Sequence, residues 1–466
     1  MRYRMSIILL IACLMILLSS CKAVNGQNVE QALKPLDNNE KVSITIMFWD
    51  STFFNMKYGD KFQESFPNID FKVINMAELT DNVQSPRNDT YDQFIAKYKP
   101  DVLMLPDDQF RRFAKEGKLY GLDSVIEQDQ FPVARLNPTL LRMLLNAGNG
   151  KVYGLAPDFT SSALFYNIDL FNKYHISLPQ DGMSWDEVFE LAKKFPTDGE
   201  ADQRDYGFVP IMFTDLFNFI TSIAKVQGAQ YVEDGSTQLS LNSREWVNTA
   251  SFVIDAIHSG AMRMYSDEER FTDDLFSRYM SNLFINGRAA MSFAPYYSVQ
   301  ELSQARQSIQ NLSSFQWAVV TAPVASGNRS QSAYNMLGMT YAILDESQSK
   351  RAAWEVIKFI NSEQYAKDNP ESMYGNLSAW SDATFKQDGV SMEPFFKLEP
   401  FETNMGNVIN LPPIFFDQLS FVASMELKRV IDYEMTAQEA MESIQKKGQV
   451  QLDELLRAAS ETVTQN

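Results

Sequence analysis

Short apolar runs alternate with longer amphipathic stretches from residue 42 onward. Residues 42–49 (VSITIMFW) alternate and are rich in β-branched and aromatic side chains, and residues 102–105 (VLML) form a continuous apolar run closed by a proline. Both patterns predict strands. Residues 91–98, which lie between them, have the apolar spacing of a helix. This alternation of strand and helix predicts an α/β fold.

The same alternation continues through the rest of the chain. Ser184 and Glu187 have the spacing of a capping box, which predicts a helix through Lys194. Further helices are predicted over 215–226, 243–258, 273–286 and 349–360, and further strands over 206–211, 289–294, 315–321 and 337–344. A second capping box, Thr436 with Glu439, precedes a long amphipathic run, so we predict that the last hundred residues are mostly helical.

The N-terminal residues have a different pattern. Arg2 and Arg4 precede the apolar residues 7–18, a stretch shorter than the roughly 20 residues that span a bilayer. We therefore predict a signal peptide over 1–20. The small residues before Cys21 resemble the bacterial lipobox, in which this cysteine carries lipid after cleavage; an ordinary secretory peptide with an incidental cysteine is the alternative. Residues 21–40 are then the lipidated Cys and a flexible polar tether.

Composition narrows the class of function. A chain with 45% hydrophobic and 21% charged residues has the composition of a folded protein with a substantial core. The net charge of -18 and the lack of a Lys/Arg run argue against nucleic acid as a partner. The only cysteines are Cys13 and Cys21, so an exported chain has no internal disulfide. We expect a monomer on the extracellular face of the cell membrane, held there by lipid.

Catalytic motifs are scarce in this sequence. The two histidines, His175 and His258, lie far apart, and Cys21 is the one cysteine left after cleavage, which argues against zinc and Cys/His nucleophile chemistry. The sequence has no GxSxG, GxxxxGK[ST] or GxGxxG motif. We predict a protein that is not an enzyme and that needs no cofactor and no metal. A glycoside hydrolase, which requires only two carboxylates, is the alternative.

Six groups of short motifs follow one another along most of the chain. They are Pro100-Asp101-Val102; Val152 to Leu155 with Phe165-Tyr166-Asn167 and Asp169-Leu170-Phe171; Ser184 to Glu187; Phe284 to Met291; Ala352-Ala353-Trp354 with Ile357 to Ile360; and Thr436 to Ala440. In this order, and together with a lipoprotein signal, they resemble the extracellular solute-binding proteins of ABC importers, the group with carbohydrate-binding members such as the maltose-binding protein.

The resemblance implies an α/β, two-lobed periplasmic-binding-protein-like fold of type II. Such a fold has mixed sheets flanked by helices, a ligand cleft between the lobes, and hinge crossovers of the chain. We place lobe I at 41–160 with 338–375 returning to it, and lobe II at 161–337 with 376–466 returning to it. The implied partners are two permease subunits and a cytoplasmic ATPase of the ABC transporter.

Crossings between the lobes are expected near 159–163, 337–338 and 374–376. A hinge needs a few residues that absorb backbone rotation, and Gly338 and Gly375 are suited to that. The segment from Gly375 departs from the family because it lacks the proline that is common there.

Aromatic side chains, carboxylates or both follow the predicted strands. The pairs are Trp49-Asp50, Asp107-Asp108, Phe213 with Asp215, and Tyr296-Tyr297. In open α/β sheets the ligand lies beyond the carboxyl ends of the strands. A pyranose stacks its apolar C–H face on a ring and donates hydroxyl hydrogens to carboxylates, so these pairs indicate a sugar site. Asp158 and Phe159 in the first crossing, and Trp380 after the last, are further candidates for ligand binding.

Each candidate also has a structural interpretation. Aspartate after a strand is commonly a helix N-cap, which applies to all four strand-end aspartates. The tryptophans on helix stripes or inside a strand are predicted core residues: Trp185, Trp246, Trp317 and Trp354. The net charge of -18 leaves a cation, such as a polyamine or basic peptide, as the alternative to a neutral mono- or oligosaccharide.

Overall fold

The computed structural model describes residues 32–37, 39–80, 88–213, 215–233, 235–265, 274–310, 312, 314–370, 375–381, 386–401 and 411–464. The predicted signal peptide, Cys21 and most of the predicted tether lie outside these residues. Within the described part of the chain, no helix has the length and apolar character needed to cross a membrane.

The strands of the described residues are mostly short. They are β1 (Val42–Phe48), β2 (Ile69–Asn75), β3 (Val102–Leu105), β4 (Gly154–Leu155), β5 (Asp158–Thr160), β6 (Ser162–Asn167), β7 (Tyr206–Val209), β8 (Ala289–Pro295), β9 (Trp317–Thr321), β10 (Gln331–Ser332), β11 (Met336–Leu337), β12 (Thr340–Ile343), β13 (Leu377–Ser378), β14 (Lys386–Gln387), β15 (Val390–Ser391) and β16 (Glu399–Pro400).

The helices are longest at the C-terminal end. They are α1 (Ser51–Phe54), α2 (Asp60–Ser65), α3 (Ala77–Thr80), α4 (Asn88–Tyr98), α5 (Asp107–Lys115), α6 (Asp123–Gln128), α7 (Pro138–Ala147), α8 (Ile168–Lys173), α9 (Trp185–Ala192), α10 (Leu216–Val226), α11 (Arg244–His258), α12 (Leu275–Ser281), α13 (Tyr297–Ser308), α14 (Lys350–Ile360), α15 (Glu363–Asp368), α16 (Pro413–Ile431) and α17 (Ala437–Thr464). A π-helical turn, Asn55–Gly59, joins α1 to α2, and 3₁₀ turns lie at Val133–Arg135 and Glu393–Phe395.

The first lobe is built on a five-stranded sheet with the order β2-β1-β3-β12-β4. Strand β1 is parallel to β2 and β3, with Ile46 opposite Val102, whereas β12 is antiparallel to β3 and β4. Helices α14 and α5 pack on this sheet. Buried strand residues and Trp354 of α14 form its core.

The second lobe is built on a four-stranded sheet with the order β7-β8-β6-β9. Strands β7 and β8 are parallel, and β6 is antiparallel to β8 and β9. Helix α9 packs on β7, and α10, α11, α16 and α17 form a helical layer beyond it. Trp185 and Trp246 are fully buried in the core of this lobe.

A third sheet lies where the chain passes between the lobes. Its order is β11-β5-β13, and both outer strands are antiparallel to β5. Three separate stretches of chain therefore meet in one small sheet, which we call the hinge sheet. The result is an α/β, two-lobed fold with mixed sheets flanked by helices and a cleft between the lobes, so the predicted fold class is confirmed.

Most predicted elements are present with small shifts of their ends. The Ser184 side chain and Glu187 form a reciprocal capping box, and Thr436 and Glu439 exchange the same hydrogen bonds. The predicted core tryptophans are buried, since Trp185, Trp246 and Trp354 have no exposed surface and Trp317 has 5%.

The predicted helix over 273–286 is wrong in its second half. The structure ends α12 at Ser281, because Asn282 has extended backbone angles and its side chain accepts the backbone N–H groups of Phe284 and Ile285. Local side-chain hydrogen bonds of this kind compete with the helix.

Two further predictions need correction. The predicted strand over 337–344 is divided into β11 and β12, since Gly338 bonds to the hinge sheet and not to the first-lobe sheet. The last hundred residues contain four short strands, β13 to β16, before the two long helices.

Candidate ligand-binding site

The carboxyl ends of the parallel strands place two of the predicted aromatics on different lobes. Strand β1 ends before Trp49, and β8 ends before Tyr296 and Tyr297. Trp49 retains 38% of its surface exposed, which is high for so large an apolar side chain. Tyr297 begins α13 and is partly buried. Each lobe therefore has one aromatic residue with some exposed surface at the end of a strand.

Glycine at position 375 allows close packing against Tyr297. A Cβ atom at Gly375 would lie 2.8 Å from the Cβ of Tyr297, and the backbone φ of Gly375 is +67°. Any other residue at position 375 is unfavourable because its Cβ atom would clash with Tyr297 and because its backbone would be strained at this positive φ. The hinge segment thus lies directly against the aromatic residue that begins α13.

Tyr296, the neighbour of Tyr297, is a core residue. It is 6% exposed, its hydroxyl donates to the Oε1 atom of Gln387 at 2.7 Å, and its ring packs edge-on to Phe395 with 5.5 Å between centroids. Burial raises the pKa of Tyr296 to about 12. Side chains alternate along a strand, so adjacent tyrosines at its end are expected to point differently, and here Tyr296 is buried whereas Tyr297 is partly buried.

Three other predicted aromatics also pack within the protein. Phe159 has no exposed surface and contacts Phe396. Phe213 is partly buried beside Phe219, with 5.3 Å between ring centroids. Trp380 is partly buried on the first lobe, where its indole N–H donates to the backbone oxygen of Asn361 at 3.1 Å.

The predicted carboxylates at strand ends have partners within the fold. Asp50 caps α1 by accepting the backbone N–H of Phe53 at 2.9 Å. Asp215 caps α10 and also accepts a hydrogen bond from the Ser424 hydroxyl. Asp107 forms an ion pair with Arg111 at 2.8 Å. Asp108, which is exposed, accepts a hydrogen bond from the Gln109 side chain at 3.0 Å. The N-cap interpretation therefore describes Asp50 and Asp215.

Asp158 links all three strands of the hinge sheet. Its Oδ1 atom accepts from Nδ2 of Asn376 at 2.9 Å, and its backbone oxygen accepts the N–H of Gly338 at 3.1 Å. Oδ1 of Asn376 in turn accepts the Thr160 hydroxyl at 3.3 Å. Burial lowers the pKa of the nearby Lys57, and the negative charge of Asp158 opposes that effect.

Sequence analysis missed a cavity on the second lobe. It has a volume of about 190 Å³ and lies beside α13, on which Glu301 follows Tyr297 by one helical turn. The described lining residues combine aromatic, apolar and polar side chains: Ile211, Tyr265, Arg278, Tyr279, Ser281, Asn282, Ile285 and Glu301. Rings together with hydrogen-bonding groups of both kinds suit a polyhydroxylated ligand.

Tyr279 shows how this cavity is held together. Its hydroxyl donates to Oε1 of Gln304 at 3.2 Å, which connects α12 to α13. Burial raises the pKa of Tyr279, as does the charge of Glu301, while Arg278 lowers it. The sequence predicted a helix over 273–286 in this region. Nothing in the sequence indicated that this helix packs beside the residues that follow β8.

Lys225 of the second lobe is close enough to Asp107 and Arg111 of the first lobe to feel their charges. Burial lowers the pKa of Lys225 on α10, and Asp107 of the first lobe opposes this shift while Arg111 adds to it. Charges on the two lobes therefore act on each other at this point. Among the described residues, no group of three or more His, Cys, Asp or Glu side chains is arranged to hold a metal ion.

The fold is that of a two-lobed binding protein with a cleft between its lobes. Comparison with known proteins identifies its family. The family described as "Bacterial extracellular solute-binding protein" matches residues 53–367. The chain belongs to this family, as the sequence motifs indicated.

Two curated relatives align with parts of the chain. An arabinooligosaccharide-binding protein of Bacillus subtilis is 27% identical over 167 residues, 35% of each chain. A putative binding protein of Brucella abortus is 25% identical over 262 residues, 53% of this chain and 55% of the relative. The chain spans between about one third and about half of the length of these relatives.

Solved structures show the same fold over most of the chain. The sugar-binding protein MalE from Xanthomonas citri superposes with a TM-score of 0.61 at 16% identity, covering 91% of this chain and 100% of its own. A family 1 solute-binding protein from Alicyclobacillus acidocaldarius gives 0.63 at 14%, with coverages of 89% and 100%. An ABC substrate-binding protein from Listeria monocytogenes in complex with cycloalternan gives 0.53 at 19%, also with 89% and 100%.

Proposed function

We propose that this protein is a membrane-anchored extracellular receptor that captures a sugar or oligosaccharide between its lobes and delivers it to an ABC permease. The observation that carries the proposal is the pair of aromatic rings at strand ends of opposite lobes, Trp49 and Tyr297, with the polar cavity beside α13. Similar folds in proteins named for sugars, MalE among them, support it.

The energetics of stacking suit a sugar. Removing about 60 Å² of apolar sugar face from water at roughly 25 cal/mol per Å² contributes about 1.5 kcal/mol per ring. Two such rings contribute about 3 kcal/mol, or roughly a hundredfold in affinity. Hydrogen bonds from groups such as Arg278 and Glu301 then provide orientation and selectivity.

The charge arrangement favours a neutral ligand over a cation. Asp107 is paired with Arg111 and lies near Lys225, and Lys57 lies near Asp158. A cationic ligand would be repelled by Arg111, Lys225 and Lys57. A sugar hydroxyl can instead donate to a carboxylate or accept from a cation.

The anchor and the transporter complete the proposal. A lipid on Cys21 would hold the receptor at the outer face of the membrane through the tether of residues 21–40. Two permease subunits and their ATPase would receive the ligand. The receptor binds and releases its ligand without chemical change.

One calorimetric screen tests the ligand class. The mature chain without lipid is titrated with a panel of mono- and oligosaccharides, with polyamines included. We expect micromolar binding of a sugar with affinity nearly independent of salt. Binding of a polyamine that weakens steeply with salt would contradict the sugar proposal, and cleavage of an oligosaccharide during incubation would contradict a receptor.

Lobe closure provides a second test. A ligand that contacts both lobes favours the closed state, so the radius of gyration from solution scattering should fall when a sugar binds. Unchanged scattering at saturation would contradict capture between the lobes.

A further inference from the structure

Helix α16 has an exposed apolar stripe. Ile414, Phe421 and Met425 are 51%, 69% and 58% exposed, although each is a large apolar side chain. Residues spaced by seven and four positions lie almost in line along a helix, so these three side chains share one face. The opposite face of α16, which includes Leu419 and Leu427, is buried in the core of the second lobe. An exposed apolar face of this kind is typical of an interaction site.

Two opposite charges flank the centre of this stripe. Asp417 and Lys428 are both exposed. They are eleven residues apart, which is about three helical turns, so both lie on the same side of the helix, with Phe421 and Met425 between them. Lys428 forms an exposed ion pair at 2.7 Å with Asp432 of the same helix, whereas Asp417 has no ion-pair partner among the described residues.

The order of these charges makes the stripe complementary to a second copy of itself. If two α16 helices pack antiparallel about a twofold axis midway between positions 417 and 428, Asp417 of each chain lies opposite the partner's Lys428. Phe421 of each chain then lies beside the partner's Met425, which is a favourable contact between a ring and a sulfur atom. A parallel arrangement would instead place each charge opposite its own copy. Charge complementarity therefore favours the antiparallel pair.

We propose that the exposed face of α16 binds a second copy of this chain in a symmetric, antiparallel dimer. The Phe421 and Met425 side chains form its centre, and two ion pairs between Asp417 and Lys428 lie at its ends. The helix has 19 residues and is therefore about 28 Å long. One helix face buries less area than a stable dimer needs, so the dimer is weak and dilute protein remains the expected monomer. The dimer does not depend on the ligand of the cleft.

Sedimentation equilibrium tests the dimer. The mature chain, without lipid or sugar, is measured from about 10 to about 500 µM in low salt. We expect the average mass to rise from one chain towards two, and Phe421→Glu should raise the dissociation constant about tenfold by placing a charge at the centre. Met56→Glu is the matched control, since Met56 is 71% exposed but lies on the first lobe. This variant should associate like the wild type.

A charge exchange tests the antiparallel arrangement. Asp417→Lys and Lys428→Asp each place like charges opposite one another in a dimer of identical chains, so each variant alone should associate about fivefold more weakly. In an equal mixture of the two variants, both pairs between unlike chains become attractive. The mixture should therefore associate at least as tightly as the wild type. All four positions are exposed, so the variants should fold normally, which circular dichroism checks.

Three results would overturn the proposal. They are the mass of a single chain at every concentration, equal association of Phe421→Glu and the wild type, and a mixture of the two charge variants that associates no more tightly than either alone. The stripe could also contact a lipid surface. Binding of the chain to phosphatidylglycerol vesicles that is lost in Phe421→Glu, with a single-chain mass in solution, would assign the stripe to the membrane and refute the dimer. Failure of the sugar screen has no effect on any of these measurements.

Discussion

Gly338 is the point at which the hinge sheet tolerates least change. A Cβ atom there would lie 2.2 Å from Oδ1 of Asp158 and 2.6 Å from its backbone oxygen. The backbone of Gly338 is not in the left-handed region, so the cost of Gly338→Ala arises from the steric contact. To relieve the contact, β11 and β5 must separate, which breaks the hydrogen bond from Gly338 N–H to Asp158.

The magnitude follows from these two effects. Overpacking costs about 1–3 kcal/mol and a lost backbone hydrogen bond about 1 kcal/mol, so the free energy of unfolding should fall by about 2–4 kcal/mol. Urea denaturation followed by fluorescence measures this change. Because Asp158 also accepts from Asn376, the displaced carboxylate should alter lobe closure, measured as the ligand-induced change in radius of gyration.

Gly327→Ala is the matched control. A Cβ atom at Gly327 meets no atom within 4 Å, and its backbone is also outside the left-handed region. This variant should stay within about 0.5 kcal/mol of the wild type and close normally. If Gly338→Ala were equally stable and showed the same compaction, the interpretation of Asp158 as the link between the hinge strands would be wrong.

Three other predictions address the site, the anchor and acid stability. Trp49→Ala and Tyr297→Ala should each weaken sugar binding by about 1–3 kcal/mol in calorimetry, whereas Trp354→Ala should lower the free energy of unfolding by about 3–5 kcal/mol. Cys21→Ser should move the protein from the membrane fraction to the soluble fraction. Burial alone would raise the pKa of Asp129, yet hydrogen bonds from two cations of α14 and from the Trp354 indole hold it well below the usual range. This stabilisation is fully present above about pH 4 and is lost as the pH falls further, so Asp129→Asn should cost about 3 kcal/mol at pH 7 and less at pH 3.

A specific result would contradict each of these three predictions. Unchanged affinity in Trp49→Ala together with a large loss of stability would make Trp49 a core residue. Retention of Cys21→Ser in membranes after high-salt washing would refute the lipid anchor. A destabilisation by Asp129→Asn that is the same at pH 3 and pH 7 would show that the charge of Asp129 contributes nothing.

The sequence predicted what depends on neighbouring residues. Ser184 and Glu187 are three positions apart, so their capping box forms wherever the helix lies. The buried run of β3 and the helix over α11 were likewise evident from periodicity. The two-lobed fold, by contrast, was implied by the resemblance of the ordered motifs to the extracellular solute-binding proteins.

Tertiary structure decided which candidate residues line a site. Tyr296 and Tyr297 are adjacent and chemically identical, yet one is buried against Phe395 and the other begins α13 beside the hinge. The cavity between α12 and α13 also needed the folded chain, since Tyr279 and Glu301 meet there from different helices. The exposure of a side chain and its contacts with distant residues depend on how helices and strands pack together. A local sequence pattern reports only on the helix or strand that contains it, so it cannot predict them.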